Sequence, residues 1–199
     1  ADLTKTFVAT NHLQSVGLHA KGGLIKCQRN TWDNGTEALW PCAKVPLDVP
    51  ERLGKDPTKE DLKIRNRQAS RAHRDREQNR PQRIKIERSL QEAEALADRT
   101  VYQAYHADFR SRLYTSNKYV SSQGPDYEKA MLDFAEKLPV NDEAFDWLLK
   151  GAAGHYGHGR KSWDERLSWG RKNIDLMKAA AEDPLGRLEL WRNANDPWQ

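Results

Sequence analysis

The chain has 199 residues, of which 37% are hydrophobic and 31% are charged, with a formal net charge of +4. Seven tryptophans argue against a disordered chain, because disordered sequences are poor in aromatic residues. No apolar run approaches the roughly 20 residues of a membrane span, the N-terminus does not resemble a signal peptide, and two cysteines form no disulfide framework. We therefore expect a cytoplasmic protein that does not contact a membrane.

The first predicted unit covers residues 1–57. Residues 1–35 have a helical pattern that weakens around Gly17 and around Gly22-Gly23. Residues 36–57 contain four of the nine prolines. Because proline interrupts both helices and strand pairing, this stretch is predicted to be an extended connector.

The second predicted unit, residues 58–99, is a basic helix pair. Thr58 and Asp61 resemble the capping box that starts a helix. This helix is expected to stop before Pro81, which would then lie in the first turn of a second helix. The apolar residues of that second helix share one face, at Ile86, Leu90, Ala93 and Ala97.

Positive charge is concentrated in this unit. Residues 63–88 contain ten Lys or Arg against three acids, a local charge of +7, so the remaining residues carry a net charge of −3. Most of these cations are arginines, whose planar fork can donate two hydrogen bonds to one phosphate. The sequence alone leaves two readings open, a nucleic-acid-binding helix or a solvated helix face.

The third predicted unit, residues 100–199, combines short strands with helices. Val101–Tyr105 and Leu113–Thr115 are rich in residues that favour strands, around a turn at residues 106–112. Helices are expected over residues 126–137, after Asn141, and after the Ser162-Glu165 capping box, with a glycine-rich loop at 151–159. The predicted fold is mainly α with a few short β-strands.

One stretch of this unit carries a resemblance to a known family. Asp108-Phe109-Arg110-Ser111-Arg112-Leu113-Tyr114 resembles the D-x-x-G-R-x-Y element of the single-subunit RNA polymerases of phages and mitochondria. Gln123-Gly124-Pro125-Asp126 with Lys129 resembles the family's Q-G-x-D-x-x-K, at the right distance downstream. Further similar segments follow in order: Trp147–Ala153, Trp163–Arg166, Asp183–Leu185 and Asn195–Trp198.

The sequence departs from the family pattern at two places. Ser111 stands where the family has glycine, which puts close contact with nucleic acid at that point in doubt. Residues 18–25 match the family's segment poorly, and the two glycines there would each cost a helix about 1 kcal/mol.

The resemblance implies that the chain holds the template and the RNA–DNA hybrid next to an active site. It assigns Arg112 to a backbone phosphate and Asp108 to orienting Arg112 or a neighbouring donor. Further nucleic-acid contacts are expected from Arg110, Gln123, Lys129 and Arg83. Such contacts position a strand without reading its sequence.

The resemblance also implies that catalysis happens elsewhere. Nucleotidyl transfer uses two metal ions held by carboxylates, and in this family those carboxylates follow the segment that this chain resembles. The chain would then be a truncated piece or a subunit of a split polymerase, and we favour the split enzyme. We therefore expect no catalytic residue and no cofactor in this chain, Mg²⁺ bound by other residues of the complete enzyme, and a second polypeptide that carries palm and fingers. A phage-encoded chain would work in the host cytoplasm.

Other signals in the sequence are weaker. His155, His158 and Asp164 lack the spacing of a metal site, and the tryptophans of the C-terminal unit follow helix faces and are expected to be mostly core. Two other functional classes stay open: a basic helical module that binds RNA or DNA without a polymerase partner, and a structural protein of a virion or complex.

Overall fold

The computed structural model describes residues 3–110 and 112–199, and at Glu37 it describes the backbone alone. Helices account for 56% of the described residues, which confirms the mainly α prediction. In chain order the helices are α1 (Thr4–Ser15), α2 (Gly22–Asp33), α3 (Lys59–Leu96), α4 (Asp126–Ala130), α5 (Asp142–Ala153) and α6 (Trp163–Glu182). The strands are β1 (Leu18–Ala20), β2 (Thr100–Val101), β3 (Tyr105–Ala107), β4 (Leu113–Thr115) and β5 (Leu132–Phe134). Shorter turns are helical at Glu37–Leu39, Gly154–His158 and Leu188–Leu190.

The strands form two small antiparallel sheets. β1 lies between β2 and β5, with Leu18 opposite both Val101 and Phe134. β3 and β4 form a separate hairpin around residues 108–112. Strand pairing at residues 113–115 confirms the second predicted strand. The first, predicted over residues 101–105, is wrong in its bounds, because residues 100–101 and 105–107 form two separate strands.

The helix pair predicted for residues 58–99 is wrong, because α3 is one continuous helix of 38 residues. At a rise of 1.5 Å per residue it is about 57 Å long. Its start is as predicted: the Thr58 hydroxyl accepts from the N–H of Asp61, whose carboxylate accepts from the N–H of Thr58. Pro81 lies inside the helix, where it removes one backbone hydrogen bond. The Arg83 side chain pairs with Asp75, eight residues earlier, and so links the helix turns on either side of Pro81.

Two predicted helices are shortened by long-range strand pairing. Residues 18–20, expected in a weak helix, form the central strand β1. Residues 126–137, expected as one helix, divide into α4 and the strand β5. The backbone of Gly17 allows this packing, since a Cβ there would come within 3.1 Å of Thr100 and 3.3 Å of Ala135.

The C-terminal helices α5 and α6 pack against each other. Asn141 and Ser162 cap them as predicted, because their side-chain oxygens accept from the N–H groups of Ala144 and Glu165. The expected loop at 151–159 is wrong at its start, because α5 runs to Ala153. Residues 154–158 form a wide turn in which Gly157 has a non-helical backbone, with φ 134°. At the crossing, a Cβ on Gly170 would come within 2.7 Å of the Cβ of Leu149, so a larger residue there would force the helices apart.

The main core lies between α2, α3 and α4. Trp40 is its centre, with ring centroids 5.2 Å from Trp32, 5.4 Å from Tyr127 and 5.3 Å from Trp198. Such tilted aromatic contacts add about 0.5–1.5 kcal/mol each beyond the burial of apolar area. The tryptophans of the C-terminal unit do not all belong to this core, because Trp147 and Trp163 lie at the surface. Among the described residues, no helix is both long and apolar enough to cross a membrane.

Candidate nucleic-acid interface

The β3–β4 hairpin presents the motif that the sequence singled out. Its register pairs Tyr105 with Thr115 and Ala107 with Leu113, so residues 108–112 form the connection at its tip. The N–H of Asp108 donates to the carbonyl of Arg112 at 2.9 Å and closes this loop. The tip faces solvent, and the Phe109 side chain is 95% exposed.

The Asp108 carboxylate accepts hydrogen bonds from two other residues of the loop. Its Oδ1 accepts from the backbone N–H groups of Arg110 at 2.9 Å and Arg112 at 3.0 Å, and its Oδ2 accepts from the Arg110 Nε at 2.8 Å. The backbone N–H of Arg112 above all, then the side chain and N–H of Arg110, lower the pKa of Asp108 below its ordinary value. Asp108 therefore orients the Arg110 side chain, and it fixes the backbone but not the guanidinium of Arg112.

The two arginines of the loop consequently differ. The Arg110 guanidinium contacts Asp108 and donates to the hydroxyl of Tyr114 at 3.1 Å. Arg112 is exposed, and its guanidinium has no hydrogen-bond or ion-pair partner within residues 3–110 and 112–199. Lys129, also exposed, likewise lacks a partner within those ranges. Arg112 and Lys129 are therefore the predicted contacts whose charged groups are available to a ligand.

Gln123 contacts the hairpin itself. Its Oε1 accepts from the N–H of Thr115 at 2.9 Å, and its Nε2 donates to the carbonyl of Leu113 at 3.1 Å. The side-chain amide thus pairs with the free edge of β4 as a neighbouring strand would. With its side-chain amide engaged in this way, Gln123 positions the hairpin in this structure.

Two residues beneath the hairpin were not singled out from the sequence. Gln103 is buried, donates to the carbonyl of Val120 at 3.0 Å and accepts from the hydroxyl of Ser122 at 2.6 Å. Ser121 is buried as well, and its hydroxyl lies 2.6 Å from that of Thr115. Their contacts join residues about 20 positions apart or less, but nothing in the local sequence marks them as buried.

Asp126 connects the same motif to the end of the chain. Its Oδ2 accepts from the N–H of Trp198 at 2.9 Å and its Oδ1 accepts from the Gln199 side chain at 3.1 Å. Burial raises the pKa of this carboxyl, against the lowering effect of these hydrogen bonds. The motif at residues 123–126 therefore holds the hairpin at one end and residues 198–199 at the other.

A buried carboxylate lies beside this motif. Glu128 is fully buried, with Oε1 3.1 Å from the Lys85 ammonium and 3.1 Å from the Ser89 hydroxyl, which donates to it. Its Oε2 has no partner among the described residues. Burial raises the pKa of Glu128, and the Lys85 ammonium opposes this shift. The group ties α4 to α3.

Arg83, expected to contact nucleic acid, is occupied within the protein. Its side chain is only 12% exposed, and it pairs with Asp75 at 2.7 Å and donates to the carbonyl of Ala43 at 2.8 Å. Arg65 and Arg76 donate to connector carbonyls in the same way, at Glu51 and Leu47. These arginines hold the extended connector against α3, which gives Arg83 a structural role in this structure.

The remaining cations of α3 are free to interact with other molecules. Arg65, Arg76, Arg83 and Lys85 are engaged, as described above. The other basic residues of the 63–88 segment have no hydrogen-bond or ion-pair partner in the described part of the chain and are exposed: Lys63, Arg67, Arg71, Arg74, Arg80 and Arg88. This leaves a basic helix surface suited to a polyanion.

The described residues contain no group of three His, Cys, Asp or Glu side chains that could hold a metal ion. His155 lies 3.3 Å from Asp196, and neither is grouped with a third ligand in that part of the chain. Ser111, where the family has glycine, lies outside the described residues. The hairpin tip therefore combines a hydrogen-bonded backbone with exposed cations that have no partner among the described residues.

Comparison with known proteins identifies the class. Residues 138–199 match the family model described as DNA-dependent RNA polymerase. The mitochondrial DNA-directed RNA polymerase of Neurospora crassa is 26% identical over 206 aligned positions, which include all of this chain and 14% of that protein. The chain is therefore similar to DNA-dependent RNA polymerases.

Two further relatives define the branch. DNA-directed RNA polymerase 1, mitochondrial, of Arabidopsis thaliana is 26% identical over 84% of this chain and 17% of its own length. The human mitochondrial enzyme is 30% identical over 54% of this chain and 9% of its own length. Over its whole length the chain is similar to single-subunit RNA polymerases of mitochondria, and it spans less than a fifth of the length of these relatives.

Proposed function

We propose that this chain holds the template strand and the RNA–DNA hybrid beside the active site of a DNA-directed RNA polymerase. The proposal rests on the difference between Arg110 and Arg112 at the tip of the β3–β4 hairpin. Asp108 and Tyr114 hold Arg110 by hydrogen bonds, whereas the Arg112 guanidinium has no hydrogen-bond or ion-pair partner among the described residues. An arginine in this state can donate two hydrogen bonds to a phosphate without first breaking an ion pair.

The other residues of this surface are suited to binding that does not depend on base sequence. Lys129 offers a second free ammonium in the neighbouring motif, and Gln123 keeps β4 in place. Contacts from cations to phosphates position a strand but carry no base-specific information. Such an interface suits an enzyme that must move along every template.

Catalysis in this proposal belongs to other residues. The described residues provide no cluster of metal ligands, so we assign the Mg²⁺ site to the palm and fingers of the complete enzyme. We expect these regions on a second polypeptide that assembles with this chain. The curated relatives are named as mitochondrial or chloroplastic enzymes, and the cytoplasmic location expected from sequence is a separate prediction, tested by imaging the tagged chain in cells.

The test is reconstitution. This chain is co-expressed with a polypeptide that carries the polymerase palm and fingers, and extension of an RNA primer on a DNA template is followed with Mg²⁺. We expect a stable complex that extends RNA, and early release of the transcript when Arg112 is replaced by alanine. Absence of a complex together with absence of RNA synthesis would rule out the polymerase assignment.

A second candidate function, a basic module that binds nucleic acid alone, is favoured by one observation. Six exposed cations of the 63–88 segment have no hydrogen-bond or ion-pair partner in the described part of the chain. If this function were correct, charge-reversal of Arg67 and Arg71 would abolish binding to nucleic acid, whereas Arg112→Ala would leave it unchanged. The polymerase proposal predicts that Arg112→Ala has its own effect.

A further inference from the structure

A second surface, far along the chain from the hairpin, combines exposed tryptophans with cations. Trp147 on α5 is 50% exposed and Trp163 at the start of α6 is 55% exposed. Their ring centroids are 5.3 Å apart in an edge-to-face contact. Leu148 is exposed beside them. Exposed tryptophans in contact with each other leave a large aromatic surface in water, which marks an interaction site.

A cationic side chain also lies over the ring of each of these two tryptophans. The Lys150 ammonium lies 4.0 Å from the ring centroid of Trp147, and the Arg166 guanidinium lies 4.6 Å from that of Trp163. Arg166 is fixed in place because it donates to the carbonyls of Lys161 and Gly159. Lys150 contacts the ring and has no carboxylate partner among the described residues. We call Trp147, Lys150, Trp163 and Arg166 the indole–cation surface.

Charges of both signs lie near this surface. Residues 147–166 contain four Lys or Arg and two acids, Asp164 and Glu165, and the acids Asp142, Glu143 and Asp146 precede them on α5. Glu165 accepts from Ser162 in the capping box, so its carboxylate is already engaged. Arg160, two residues before the cap, has no hydrogen-bond or ion-pair partner in the described residues. Phosphate groups could therefore be contacted by Arg160 and by the cations that lie over the indoles.

From these features we infer that the indole–cation surface binds a single-stranded polynucleotide, whether DNA or RNA. Bases of a single strand can stack on exposed indoles and guanidinium planes, while the cations contact phosphates. The core of a protein–protein interface is depleted of charged residues, whereas each exposed indole here is paired with a cation, so a polyanion fits better than a protein. A duplex fits poorly because its base faces are already stacked. The inference does not rest on the polymerase assignment.

The first test locates the contact directly. Oligonucleotides dT15 and rU15 with 5-iodouracil substitutions are irradiated in complex with the 199-residue chain, and crosslinked peptides are identified by mass spectrometry. We expect crosslinks at Trp147 or Trp163 with both sugars. Crosslinks confined to other segments, such as residues 105–116, would overturn the inference while leaving the proposed function intact.

The second test measures affinity by fluorescence anisotropy of labelled dT15. Replacement of Trp147 and Trp163 together by alanine is expected to weaken binding at least tenfold, since stacking contributes strongly for each base. Phe7→Ala is the matched control, because Phe7 is equally exposed on α1. Equal affinities of the tryptophan variant and the control would contradict the inference.

A charge variant keeps the test valid if the tryptophan variant fails to fold. Lys150→Glu combined with Arg160→Glu retains both indoles and is expected to weaken dT15 binding at least tenfold and to flatten its salt dependence. Lys178→Glu on α6 is the control for the change of charge. If the Lys150→Glu/Arg160→Glu variant binds dT15 as tightly as the parent and the control do, the indole–cation surface does not bind a polynucleotide.

Discussion

The side chain of Gln123 takes the place of a strand beside Thr115. Its Oε1 accepts from the Thr115 N–H at 2.9 Å, and its Nε2 completes the pairing at the carbonyl of Leu113. Because β4 leads directly from the loop that carries Arg112, this pairing sets the position from which Arg112 extends. In this structure, Gln123 thus acts on Arg112 indirectly, by holding the β3–β4 hairpin in place.

Gln123→Ala is predicted to lower the free energy of unfolding by roughly 1–2 kcal/mol, since it removes two hydrogen bonds to the backbone. Affinity for an RNA–DNA hybrid should fall as well, because the hairpin loses its support. Urea denaturation and anisotropy measure the two effects, and Asn193→Ala, an exposed amide without a described partner, is the control. Loss of affinity at unchanged stability would instead make Gln123 a direct contact.

Arg83→Ala is predicted to lower the free energy of unfolding by about 2 kcal/mol, because it leaves Asp75 without its charged partner and frees the connector. Affinity for nucleic acid should not change. Arg80→Ala is the matched control: this neighbour is exposed, and its effect on stability should stay within about 0.5 kcal/mol. A variant that is as stable as the parent but binds nucleic acid more weakly would restore the contact predicted from sequence.

Glu128→Gln is predicted to change how stability depends on pH. Burial raises the pKa of Glu128 in the folded state, so between its ordinary and raised pKa values the folded protein binds more protons than the unfolded chain. Its contribution to stability therefore falls as the pH rises through this window. Thermal unfolding of the parent and of Glu128→Gln, measured between pH 4.5 and about 7, should show the parent losing stability relative to the variant as the pH rises.

The control for this titration is Glu136→Gln, which changes an exposed carboxylate. Other carboxylates, such as Asp108, have lowered pKa values and contribute in the opposite direction below their ordinary values, which is why the difference between variant and parent is the useful quantity. A difference that does not vary with pH would mean that Glu128 does not titrate in this range.

Sequence reasoning succeeded where the structure depends on neighbours in the chain. The caps at Thr58 and Ser162 were predicted from residues three positions on, and the cap at Asn141 from its residue type. Each forms as expected. It failed where distant segments meet. β1 exists because residues 100–101 and 132–134 pair with it, and no local pattern in residues 18–20 shows those partners.

The site was predicted in part for the same reason. The motif around residues 108–114 was found from its resemblance, and the structure places it at the tip of a hairpin. The difference between Arg110 and Arg112, and the pairing of Arg83 with Asp75, follow from three-dimensional contacts that a spacing pattern does not encode. The ten basic residues of the 63–88 segment could not be distinguished from the sequence. In the structure, some of them donate hydrogen bonds to the connector and others are exposed to solvent.

The central claim is that Arg112 grips a phosphate of the bound nucleic acid. The most direct test is the salt dependence of binding to an RNA–DNA hybrid with a template overhang, measured for the parent, Arg112→Ala, Arg112→Lys and the exposed control Arg192→Ala. The account predicts that Arg112→Ala binds about tenfold more weakly and that its slope of log affinity against log salt falls by about 1, with Arg112→Lys intermediate. An Arg112→Ala variant with the affinity and slope of the parent would contradict it.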